Sequence, residues 1–129
     1  MTVVTLSASG TADVVTAWER YAVPAQWPRW APQITRVEAS GPRLTAGLTG
    51  TVVGPLGVSA DFHVDSVEEP ARRWAWTVRR GPLTVRLRHG VRERDGGGST
   101  TWLAIDAPLP LAAGYAPLAY LALRRLVAA

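Results

Sequence analysis

From Ile34 to Asp106 apolar and polar residues tend to alternate with a period of two, and the stretch is punctuated by Gly41-Pro42, Gly54-Pro55, Glu69-Pro70, Gly81-Pro82 and Asp95-Gly96-Gly97-Gly98. Successive side chains of a strand point to opposite faces, so the pattern predicts strands with one dry and one wet face. We read strands near residues 34–40, 47–54, 57–67, 73–79, 83–94 and 99–107. Links this short predict antiparallel hairpins.

One register keeps a largely apolar set on a single face through three consecutive hairpins. It sets Phe62, Val64 and Ser66 opposite Val78, Trp76 and Trp74, and continues with Val85, Leu87, His89 and Val91, then Thr101, Leu103 and Ile105. The other face collects Asp61, His63, Asp65, Thr77, Arg79, Arg86, Arg88, Arg92, Thr100, Trp102 and Asp106, and is expected to meet solvent. In this register Asp61 opposes Arg79, Arg88 opposes Asp106, and Arg92 opposes Trp102, giving two ion pairs and a cation–π contact.

Ahead of the hairpins, residues 2–9 read as a first strand, and Ser9-Gly10-Thr11 supplies a turn and N-cap for a short helix over 12–21. Val14, Val15, Trp18 and Tyr21 fall near helical spacing and should face the core. Pro24, Pro28 and Pro32 confine the next stretch to one tight helical turn with an extended exit, which draws Trp27 and Trp30 together. A closing helix is expected from Pro117, a natural first helical position, to about residue 128. Residues 115–123 are apolar on every side, so the sheet can cover only one flank; a guest, a partner subunit or the short helices must cover the rest.

The 129 residues are enough for one domain, expected to span 1–129, with a single core. With no cysteine, the chain has no disulfide, no Cys-ligated zinc and no thiol nucleophile, and a reducing compartment fits best. The amino terminus lacks the basic and apolar regions of a signal peptide, and Arg124 and Arg125 interrupt the last apolar run. The expectation is a cytoplasmic protein without a membrane span. All 14 basic residues are arginines, many of them between Arg72 and Arg94, which could form a phosphate-binding stripe. Pairing across the sheet explains most of that cluster, so a nucleic-acid partner is not expected.

Ala12-Asp13-Val14-Val15 before Trp18, Trp27-Pro28-Arg29-Trp30-Ala31-Pro32 leading into 34–38, the Gly47 and Gly50 strand, Arg72-Arg73-Trp74-Ala75-Trp76 and Tyr115-Ala116-Pro117-Leu118 together carry a family likeness. Over nearly its whole length the chain resembles the Bet v 1-like, START-related (SRPBCC) superfamily, and within it the polyketide cyclase/dehydrase-like group. The resemblance implies an α+β helix-grip fold: a seven-stranded curved antiparallel sheet, two short helices after the first strand, and a C-terminal helix over a cavity. It also implies an apolar guest, such as an aromatic polyketide, a lipid or a steroid-like molecule, with cyclases, dehydratases and lipid carriers among the members. No cofactor is implied.

His89 is the one imidazole on the inner face, opposite Trp74. It could act as an acid or base in an aldol-type cyclisation or dehydration, or it could fill space and satisfy a buried partner. Trp30, Trp74 and Trp76 offer flat walls whose indole N–H groups could orient a guest's oxygens, and Phe62, Leu87 and Leu103 extend the lining. Tyr115 and Tyr120 could donate phenolic protons into the same space. His63 and Asp65, two apart on the wet face, supply too few ligands for a metal site. Asp106 lies on the wrong face to pair with His89. Asp95-Gly96-Gly97-Gly98 is read as a hairpin tip, since no helix bearing a lysine follows it. The alternatives are a binder or carrier of an apolar small molecule, an enzyme using His89, or a dimer joined through the closing helix.

Overall fold

A computed structural model describes residues 2–129. Seven strands, β1 (Thr2–Gly10), β2 (Arg36–Ala39), β3 (Thr49–Val53), β4 (Ser59–Glu68), β5 (Arg73–Arg80), β6 (Leu83–Glu93) and β7 (Ser99–Ala107), form one sheet in the order β1-β7-β6-β5-β4-β3-β2, every pair antiparallel. Three α-helices accompany it: α1 (Val14–Ala22), α2 (Trp27–Trp30) and α3 (Leu109–Leu126). This is the expected helix-grip arrangement, with α3 gripped by the inner face.

α1 is capped by Asp13, whose Oδ1 accepts from the Thr16 amide at 2.7 Å, and not by the Ser9–Thr11 turn. An aspartate leaves one acceptor aimed at the orphan amides of the first turn, which fixes the start two residues later than expected. The buried stripe is Val14, Ala17, Trp18 and Tyr21, spaced i, i+3, i+4 and i+7. Val15, expected inside, falls off that stripe and is 59% exposed. The proline-punctuated stretch behaves as read, giving a 3-10 turn over Pro24–Gln26 and then α2.

The three central hairpins keep the predicted faces, with two changes of register. Asp65 forms a bulge in β4, so that Val64 faces Trp76 but Val67, not Ser66, faces Trp74. Ser66 is therefore outside. The bulge is held from the outer face, where Asp65 accepts from Thr77 Oγ1 at 2.7 Å and lies 3.0 Å from His63 Nδ1. Between β6 and β7 the pairing is two residues from expectation: Asp106 opposes Arg86, Arg88 opposes Ala104, and Arg92 opposes Thr100. A shift of two preserves the faces. Trp102 consequently lies across Gly90, where a Cβ would collide with its indole. That close approach requires glycine, and it explains a register that alternation alone left free. Asp61 does oppose Arg79, but Asp61 Oδ1 accepts from Thr51 Oγ1 instead; neither expected ion pair forms among the described residues. Nor is the outer face uniformly wet, since Thr77 and Thr100 are buried, Thr100 sharing a 2.7 Å hydrogen bond with Ser9.

α3 differs most from its reading. It begins at Leu109, has 18 residues, and carries Pro117 in its interior. At 1.5 Å per residue it reaches about 27 Å. Pro117 takes the hydrogen bond from the carbonyl of Ala113, which is exposed and can turn to water, so the proline is tolerated where a buried carbonyl would not allow it. At the other end Arg20 of α1 donates to the carbonyls of Leu126 and Ala128, both at 2.6 Å, satisfying acceptors that the helix end leaves free. Among the described residues no helix is long and apolar enough to cross a membrane.

Candidate functional site

The space between α3 and the sheet has two parts with different contents. Beneath the C-terminal half of α3 the molecule is solid. Trp27, buried to 1%, stacks on Trp74 (5.6 Å between centroids) and packs against Phe62 and Trp76 at 5.5 and 5.1 Å. Tyr21 meets Trp30, Trp74 and His89 edge-on, and His89 stacks on Trp74 at 4.7 Å, 12° from parallel. The gap left among Trp30, Trp74, His89, Leu103, Ala119 and Leu123 is about 30 Å³, enough for a bound water or one small group.

His89 sits on β6 opposite Trp74, as read, and is buried. Its hydrogen bonds fix its tautomer. The Trp76 Nε1–H can only donate, so His89 Nε2, 3.1 Å away, accepts and carries no proton. Nδ1 then holds the hydrogen and faces Tyr21 Oη at 3.3 Å. The Tyr21 hydroxyl passes its own hydrogen to Thr101 Oγ1 at 2.5 Å, and Thr101 donates to the Gly90 carbonyl at 2.9 Å. The chain runs in one direction and ends on the backbone. Burial holds the His89 pKa down at about 3, and protonating Nε2 would set it donor to donor against the Trp76 indole. Burial likewise drives the Tyr21 phenol far up. Both imidazole nitrogens are thus engaged within the core, in a space too small for a guest.

Under the N-terminal half of α3 lies a cavity of about 320 Å³. Its floor is Trp76, Val78, Val85, Leu87 and Ile105 on the sheet, one wall is Pro55, Val58 and Ala60, and its roof is Leu111, Ala112 and Tyr115. Gln33 and Tyr115 stand between this cavity and the inner gap and line both, joined by a 2.7 Å bond from Gln33 Nε2 to Tyr115 Oη. Burial raises the Tyr115 pKa, so the phenol stays protonated. Arg80 stands at the edge and donates to the Ser59 carbonyl.

Of the residues expected to line a guest site, Trp76, Leu87 and Tyr115 border the larger cavity. Trp30, Trp74, His89 and Leu103 border only the inner gap. Phe62 is buried behind Trp76 and borders neither. Tyr120 is 44% exposed: five residues from Tyr115 is about 140° around a helix, so the two cannot both point inward. Val78 and Val85 share the face of Trp76 and could have been found from parity. Leu111 and Ala112 could not, because the sequence reading started the helix after them.

The family described as polyketide cyclase/dehydrase and lipid transport matches residues 1–129. The chain belongs to this family. In this member of the family the sheet, the 54–60 segment and α3 border a partly open apolar cavity, the feature an apolar small-molecule site requires. No curated protein matches the chain.

Proposed function

We propose that this protein binds a small, uncharged, hydrophobic molecule in the cavity under the N-terminal half of α3, and serves as its binder or carrier. The supporting observation is the cavity itself: about 320 Å³ with a floor, wall and roof of aliphatic and indole surface. Ligand pockets span roughly 300–1,000 Å³, so this one suits a two- or three-ring aromatic, as in an aromatic polyketide, or a short acyl chain. A two-chain lipid is too large. The alternative of a cyclase or dehydratase with His89 as acid/base is disfavoured because neither ring nitrogen is free and the guest space lies beyond it.

Native mass spectrometry of the freshly purified protein tests this reading. A retained apolar compound of low mass, released on denaturation, is the expected result. If the protein is instead empty, and calorimetry detects no binding of naphthalene near its solubility limit, the proposal fails. Affinity for such a guest should be insensitive to salt, unlike contacts of the arginine-rich face with phosphates.

A further inference from the structure

Five of the six indoles are buried in the core, and the four that border the inner gap differ in one respect. The N–H of Trp30 is given to the Arg20 carbonyl at 2.9 Å, that of Trp27 to the Tyr21 carbonyl at 2.8 Å, and that of Trp76 to His89. The Trp74 Nε1–H is buried and has no partner among the described residues. The Gln33 Oε1 is likewise buried without a partner. Both side chains border the inner gap, and Gln33 also borders the larger cavity. The two residues that carry one unmatched donor and one unmatched acceptor therefore both border the inner end of the guest space. Leaving such groups unpaired in the interior is costly, which makes them a recognition feature.

Resting on the binding reading above, we propose that the guest carries one neutral hydroxyl, an alcohol or a phenol, which passes the Gln33–Tyr115 pair and is held between Trp74 Nε1–H and Gln33 Oε1. A hydroxyl oxygen accepts from the indole while its hydrogen goes to the amide oxygen; among neutral groups with a single oxygen, only a hydroxyl does both. An ether or ketone can accept from Trp74 but sets its oxygen against Gln33 Oε1. A carboxylate would be buried with no cation at hand, because Arg80, the arginine bordering the guest space, stands at the edge of the larger cavity. The gap of about 30 Å³ admits one such group and leaves the apolar body in the larger cavity. Gln33 and Trp74 would then select the guest's chemistry, while the cavity walls select its size.

Calorimetric titration with naphthalene, 2-methoxynaphthalene and 2-naphthol tests this directly, on the wild type and on Gln33→Leu, with thermal melts to establish that the variant folds. 2-Naphthol should bind about tenfold tighter than either analogue, the effect of one to two net hydrogen bonds. In Gln33→Leu the advantage over 2-methoxynaphthalene should vanish while naphthalene affinity stays within about threefold. Should Gln33→Leu not fold, Gln33→Met replaces it, and the wild-type ranking decides by itself. Equal affinity for all three overturns the hydroxyl inference and leaves the gap to a water molecule, with the binding reading intact. If none of the three binds, the binding reading itself falls.

Discussion

At the residue scale, the hydrogen bonds of His89 weigh on two readings of the same side chain. On an inner strand face a histidine can be an acid/base or a packed hydrogen-bonder, and sequence leaves both open. Here Trp76 donates to one nitrogen, Tyr21 takes up the other, and Trp74 covers the ring. The position of His89 and its neighbour Trp74 were legible from strand parity. Its hydrogen bonds were not, because Tyr21 and Thr101 reach it from elements distant in sequence. A pH dependence follows. The unfolded chain takes up the imidazole proton near the ordinary value of 6.5 and the folded chain only near 3. Between those values the unfolded state binds more protons, so stability falls as pH is lowered from about 6.5 toward 3, by at most about 1.4 kcal/mol per pH unit from this group. Urea unfolding at pH 7.5 and 4.5 should show that loss, and His89→Gln should reduce the difference while lowering stability at pH 7.5 by about 2 kcal/mol. An unchanged pH difference in the variant would contradict the assignment.

At the scale of elements, α3 is two helices' worth of behaviour in one. Its C-terminal half buries Ala119, Ala122, Leu123 and Leu126 against the core and is tied down by Arg20. Its N-terminal half has Pro110, Gly114 and Pro117, lacks a side-chain cap, and spans the cavity. Helix propensity, capping and packing all point the same way. Amide hydrogen exchange should therefore be at least about tenfold faster across 111–116 than across 120–126, and a guest should slow the first segment selectively. Uniform protection would contradict this. The same composition explains why the start of α3 is not legible: prolines and a glycine look like a loop, although Pro110 falls in the first turn, where its missing N–H removes no helical hydrogen bond. The strands, by contrast, were legible, since alternation and Gly/Pro punctuation are local signals. The Asp65 bulge and the two-residue shift beside Trp102 were not, because alternation repeats every two residues and cannot count them.

For the molecule as a whole, the aromatic residues and the guest space divide the interior between them. Tryptophans that sequence reasoning placed around a guest instead fill one end of the grip almost completely, and thereby fix the sheet and α1 against each other. The room lies at the other end, where smaller aliphatic residues such as Val78, Val85 and Ala60 face α3. Burial and parity could announce an inner face; only packing shows which part of it is empty. The most direct test is calorimetric titration of naphthalene into Val85→Trp, whose indole would fill the cavity from its floor. Affinity should fall at least about tenfold with the melting temperature maintained. Wild-type affinity in that variant would place the guest elsewhere and contradict the account.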